Sequence, residues 1–422
     1  LSGPQADPAP AWSRWAVGLA LSASGLRFGA ELYRVSATCC DDFPIFWDAI
    51  HVYLDGGRLY PPERLADYGP GTPVYKFPPF YAVFLWLGAK LRPGAWVLPV
   101  HLWLQVFVYL AAVHLLTRCC GARRARSGAP LVWILALNHG PFFETLSALQ
   151  VETPILFCLV LALWLLRLGR ERAAGITLAV AAGLKVYPAL MAFLLLSTRR
   201  WTSLVWFAAA SAGSIAAGLV MFGPVENHVY FLRLLPQMLR EAPAEHYGTE
   251  NLGIASYLTE LRGGHAVLLD LPAETALLVA RALAGVLLTL TRALVASSRH
   301  RARETDALAA QFALFVPVTL LLLPNSWSNY QLLLLLPMGV VAGAMAAGMR
   351  RPLLGALLAA SFLLTTYHQN AHAYYPFLEA SKGPLFDAWQ ACRVVATLLL
   401  WLAVAIVLRE PPQTIARARP SA

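Results

Sequence analysis

The chain has 422 residues, of which 58% are hydrophobic and only 13% charged, where soluble domains carry about 25% charged residues. That balance excludes a disordered chain. The sequence shows no fixed-period repeat of a solenoid and no short alternating strands of a transmembrane barrel. The formal charge of +10 sits in short basic clusters between apolar runs, a distribution that the positive-inside rule explains without a nucleic-acid partner.

Apolar runs of about 20 residues recur along the chain and predict an all-α polytopic membrane protein, a single integral-membrane domain over residues 1–422. The first span is 12–33, and a polar first outer loop follows over 34–76. Within that loop Phe43, Phe46, Trp47, Ile50 and Leu54 recur at helical spacing. They predict a helix lying on the membrane surface with Asp42 at its start. Gly56-Gly57 stops it and Tyr60-Pro61-Pro62 turns the chain. A bundle with broken helices is expected over 77–222. Segment 77–91 is apolar but short. Residues 96–116 and 151–168 read as spans, and 131–150 is interrupted by Asn138-His139-Gly140-Pro141. Such a break is tolerated at membrane depth only where it packs on protein or lines a cavity. Segment 173–197 is split at Gly183 to Pro188 and reads as a re-entrant pair of half-helices, each too short to cross about 30 Å. Residues 201–222 close the bundle. A second outer loop is expected over 223–275, C-terminal spans over 276–408 with a third polar loop at 368–388, and a basic tail over 409–422. Basic clusters at 118–126, 167–172, 199–200, 299–303, 350–351 and 409–419 place one side in the cytoplasm and the three loops opposite.

Three outer loops joined by many helices suggest a membrane-embedded site. Two readings of Asp42 compete. It is a helix cap, or a general base at the membrane boundary. Asp41 is an alternative cap, and Asp48 reads as a solvated residue. Lys185 stands in an apolar stretch, where a charge costs about 2.5–3.5 kcal/mol. It pairs with Glu152 or Glu144, snorkels, or offers a cation to a lipid phosphate. Gln150 and Glu152 lie where the broken segment enters its next span, and a buried carboxylate there needs a partner such as Lys185. Asn251 sits in an amphipathic run of the second loop, and Asn329 in a short turn, Ser326 to Tyr330. The histidines and the six cysteines show no metal-ligand spacing. No Walker A, GxGxxG or HExxH pattern is present, so no soluble nucleotide cofactor or metal is expected.

Taken in order, these motifs resemble the family 87 glycosyltransferases. The first-loop pattern is Asp42-Phe43, Phe46-Trp47, Gly57, Tyr60-Pro61 and Tyr75-Lys76-Phe77-Pro78-Pro79. The family's Gly-Gln-Val-Asn is similar to Leu149-Gln150-Val151-Glu152, and its Lys-x-x-Pro with a following Arg-Arg-Trp to Lys185-Val186-Tyr187-Pro188 and Arg199-Arg200-Trp201. Its Asn-rich loop motif is similar to Asn251-Leu252-Gly253, and its Ser-Trp-x-His to Ser326-Trp327-Ser328-Asn329. Two departures stand out: Glu at 152 in place of Asn, and Asn at 329 in place of His. The resemblance implies a GT-C type bundle of about 10–12 transmembrane helices with a catalytic first outer loop. It implies an inverting hexosyltransferase that moves mannose from a polyprenyl-phosphate donor to a lipid or glycan acceptor, on the non-cytoplasmic face of a bacterial plasma membrane. It makes Asp42 the general base. Lys185, Gln150, Glu152, Asn251, Asn329, Tyr60 and Lys76 become candidates for contacts to the donor phosphate or substrate. The alternative class is a transporter or flippase of a lipid-linked sugar, since broken helices with an intramembrane Lys suit both.

Overall fold

The computed structural model describes residues 11–39, 42–61, 75–91, 96–120, 128–240, 253–254, 258, 271–300, 305–323, 326–349, 351–374 and 384–410. Among them the chain is helical, with no β-strand. Five helices are long and apolar enough to cross a membrane: Val97–Cys119, Trp201–Leu239, Glu274–Ser297, Ser328–Ala346 and Cys392–Arg409. Shorter apolar helices lie between them. Asn251 falls outside the described residues.

The N-terminal part runs α1 (Ala11–Thr38), α2 (Phe43–Leu54), α3 (Pro79–Leu91) and α4 (Val97–Cys119). The surface helix expected from apolar spacing is α2, which buries Phe43, Phe46 and Ile50. Cys39 between α1 and α2 is disulfide-bonded, whereas Cys119 and Cys158 are buried thiols.

The first broken helix is α5 (Ala129–Leu137) followed by α6 (Gly140–Ala148). Pro141 cannot donate to the Leu137 carbonyl, so the helix ends and restarts. The break is held by α1: Asn138 Nδ2 donates to Ser24 Oγ at 2.7 Å, and Arg27 donates to Asn138 Oδ1 at 2.8 Å. At its far end α6 closes with Leu149 in the left-handed region at φ 50°. The Gln150 N–H then reaches back to the Thr145 carbonyl at 3.0 Å. This is the turn that glycine usually makes, here made by a fully buried leucine.

Next come α7 (Glu152–Arg167) and the second broken helix. α8 (Glu171–Leu184) stops at Lys185, whose backbone is extended, and a 3₁₀ turn (Tyr187–Met191) leads into α9 (Ala192–Thr198). With 14 and 7 residues, the halves are about 21 Å and about 10 Å long at 1.5 Å per residue. The split expected at Gly183 to Pro188 is therefore present.

α10 (Trp201–Val229) corrects one expected boundary. The second outer loop does not begin at 223. Gly223 bends the chain at φ 77° and Pro224 restarts the helix, where its missing N–H is not needed. Glu226 and Asn227 are buried rather than solvated. Helical structure continues through a π segment (Tyr230–Leu234) to α11 (Leu235–Arg240). The remaining helices are α12 (Ala273–Ser297), α13 (Thr305–Leu321), a 3₁₀ helix (Ser328–Leu334) running into α14 (Leu335–Ala346), α15 (Pro352–Tyr374) and α16 (Pro384–Arg409). The first and third polar loops are shortened likewise, because α1 continues to Thr38, α15 to Tyr374, and α16 starts at Pro384.

α8 crosses α10 closely at Gly175, where a Cβ would overlap the Ser203 carbonyl oxygen. Glu171, at the start of α8, binds both Arg200 and Ser203 beside the crossing. Gly175→Val is expected to force the helices apart and cost about 1–3 kcal/mol, the usual cost of overpacking. Thermal unfolding in detergent checks it: an unchanged midpoint would show a looser crossing.

Candidate active site

Asp42 occupies the position before α2, yet its side chain makes no capping hydrogen bond. A capping carboxylate bonds the second or third N–H of the helix. Here the second residue is Pro44, which has none, and the Ile45 N–H goes to the Asp42 backbone carbonyl at 3.1 Å. The carboxylate therefore turns elsewhere: Oδ2 accepts from Gln150 Nε2. The capping reading of Asp42 is overturned. Asp42 is half-buried, and its Oδ1 has no hydrogen-bond partner among the described residues.

Gln150 is delivered by the left-handed turn at Leu149. Its backbone is fixed on both sides, by the N–H to Thr145 and by Gln105 Nε2, which donates to the Gln150 carbonyl at 2.6 Å. Its side-chain Oε1 accepts from Lys185 Nζ at 3.4 Å. Lys185 also binds Glu152 Oε1 at 2.5 Å. Of the two carboxylates that the sequence offers Lys185, the structure selects Glu152, while Glu144 pairs with Arg393 of α16 at 2.7 Å. The Lys185 ammonium lies 4.0 Å from the Tyr330 ring centroid and 5.0 Å from that of Phe77. Glu152, fully buried at the start of α7, accepts from Asn329 Nδ2 at 3.1 Å through Oε2. Asn329 is held in turn by Thr145 Oγ1, which donates to its carbonyl at 3.2 Å.

Five of the sequence candidates, Asp42, Gln150, Glu152, Lys185 and Asn329, thus form one continuous chain of polar contacts drawn from four separate segments. Lys76 lies within electrostatic reach of Asp42; burial pushes its ammonium below the usual lysine range, and the Asp42 charge pulls it back up. Tyr60 does not join the chain. Its N–H donates to Glu226 Oε2 at 3.0 Å and its hydroxyl to the Phe77 carbonyl at 2.5 Å, so it fastens the loop to α10.

The structure adds residues that sequence reasoning missed. Arg393 closes a buried ion pair with Glu144, and its only sequence signal is a charge within an apolar span. Glu226 receives the loop, and its signal is hidden behind the Gly223-Pro224 bend. Among the described residues, the hydroxyls of Tyr81 and Tyr187 are buried without a hydrogen-bond partner, and both lie near enough to Glu152 to feel its charge.

The profile of Glycosyltransferase family 87 matches residues 75–324, more than half of the chain. No curated protein sequence matches it. A solved structure, the crystal structure of ArnT from Cupriavidus metallidurans bound to undecaprenyl phosphate, aligns at 13% identity over 95% of this chain and 77% of that one, with a TM-score of 0.42. That likeness is too slight to carry an argument. Gln150, Glu152 and Lys185 fall within the matched region, whereas Asp42 and Asn329 lie outside it. A bundle with five helices able to cross a membrane and a profile match of this extent lead to one assignment. The chain is a membrane glycosyltransferase that belongs to glycosyltransferase family 87.

Proposed function

We propose that the protein is an inverting glycosyltransferase that moves a hexose, mannose, from a polyprenyl-phosphate donor to a lipid or glycan hydroxyl on the non-cytoplasmic face. The observation that carries this reading is the state of the Asp42 carboxylate. One oxygen is held by Gln150 and the other has no protein partner among the described residues, which suits a group that must accept a proton from an incoming alcohol. In the step, Asp42 takes the acceptor's hydroxyl proton while the acceptor oxygen forms a bond to the anomeric carbon. The bond from that carbon to the donor phosphate oxygen breaks on the opposite face, and its electron pair leaves with the phosphate. Holding both reactants in line removes much of the entropic part of the barrier.

The leaving phosphate needs positive charge. Lys185 is already bound to the buried Glu152, whereas Lys76 shares the electrostatic neighbourhood of Asp42 from the loop side. Lys76, near Asp42 on the first loop, is the candidate cation for the phosphate. Asn251 keeps its role as a proposed substrate contact on the resemblance alone.

The test uses the full chain in lipid nanodiscs, radiolabelled polyprenyl-phosphate mannose, and an extract of envelope lipids and glycans as acceptors. Labelled product is expected from this donor and not from nucleotide-mannose. Turnover of the nucleotide sugar alone, or passage of the lipid-linked sugar across the bilayer without transfer, would overturn the reading.

A further inference from the structure

The geometry points to Lys185, Glu152 and Asn329 as positioning residues that act on Asp42 through Gln150, rather than as ligands of the donor phosphate. The inference deepens the proposed function and rests on it.

An ammonium can only donate and an ionised carboxylate can only accept. Gln150 stands between one of each, with Oε1 toward Lys185 and Nε2 toward Asp42. That is the one orientation of the amide in which both contacts are satisfied. Without the ammonium the amide is held at one end only, by Nε2 on the Asp42 carboxylate, and loses the second contact, at Oε1, that fixes its position.

Lys185 already donates to Glu152 and to Gln150. Aromatic rings of Tyr330 and Phe77 cover the same ammonium. A phosphate would have to displace a buried carboxylate that is itself fixed by Asn329, and leave that carboxylate uncompensated, which is costly.

Positions 152 and 329 are far apart in sequence but bonded to each other. Asn329 orients Glu152, Glu152 anchors Lys185, and Lys185 orients the amide that holds Asp42. Among the described residues, the other charged and titratable groups near Asp42 are Lys76 and Tyr330, with Asp48 and His51 exposed on α2 itself.

The experiment compares Lys185→Met, Lys76→Met and the double variant Lys185→Met/Glu152→Leu, each as the full chain in nanodiscs. The double variant leaves no unpaired buried charge and keeps the question open if the single variant fails to fold. Polyprenyl phosphate affinity and donor KM are expected to change less than about twofold in both Lys185 variants, while kcat falls about 10²-fold, the loss that a small misplacement brings. Lys185→Arg should recover most of the rate. A cryo-electron microscopy map of the double variant should show Gln150 turned away from Asp42. A tenfold or greater loss of polyprenyl phosphate affinity in the Lys185 variants, or a map with the Gln150 contact intact, would overturn the proposal. If the wild-type protein binds no polyprenyl phosphate, the donor assignment fails instead, and the map still decides the positioning role.

Discussion

Asp42→Asn is expected to lower kcat for sugar transfer by about 10²–10⁴-fold, the usual contribution of a general base, with no loss of folding. The reason lies in how the carboxylate is held. Oδ2 receives a hydrogen bond from Gln150. An asparagine can place its carbonyl oxygen there and turn its amide nitrogen to the position of Oδ1. The bond to Gln150 survives, the helix loses no cap because none exists, and only the proton acceptor disappears. Initial rates and the thermal midpoint of the same preparation check this. Activity within a few-fold of wild type, in a folded variant, would remove Asp42 from the chemistry.

Arg393→Met is expected to destabilise the protein by about 3–5 kcal/mol, because it leaves a carboxylate buried without its partner. Glu144 and Arg393 are joined at 2.7 Å with side chains 2% and 1% exposed, deep between α6 and α16. The pair sits in a wider polar seam, where His139 Nε2 lies 3.3 Å from the Gln331 carbonyl and Thr397 Oγ1 donates to Gln331 Oε1 at 3.3 Å. Replacing both partners, Glu144→Leu with Arg393→Met, is expected to recover most of the loss, since two apolar residues of similar size can substitute for a buried pair. Denaturant unfolding in mixed micelles measures both. Equal destabilisation by the single and double variants would show that the seam depends on the charges themselves.

Much of this architecture was legible from local patterns. The helix over Phe43–Leu54 follows from apolar spacing, and both broken helices follow from prolines that cannot donate, Pro141 and Pro188. The ion pair of Lys185 followed from the cost of an isolated charge in an apolar run, although Glu152 and Glu144 were equal candidates until the fold placed Arg393 beside Glu144. What was not legible depends on long-range contacts. Asp42 looked like a cap because a cap is a local feature; the residue that claims its carboxylate, Gln150, is 108 positions away. Arg393 and Glu144 are separated by 249 positions, and no local rule joins them. The end expected at residue 222 failed because Gly223-Pro224, a usual stop signal, here produces a bend within a continuing helix.

The shortness of α3 has a physical consequence. Its 13 residues rise about 20 Å, some 10 Å less than the hydrocarbon core of a bilayer. Phe84 and Leu87 on its outer side are exposed, while its other side packs on α2 and α10. Were α3 to cross the bilayer, the lipid beside it would have to thin to match it, or water would fill the difference. A nitroxide at position 87 relaxed equally by oxygen and by a hydrophilic nickel chelate would reveal such a dimple, and relaxation by oxygen alone would argue for an undisturbed leaflet. Under the proposed function, a dimpled leaflet would let the donor's lipid chain stay in the bilayer while the acceptor hydroxyl reaches the same depth.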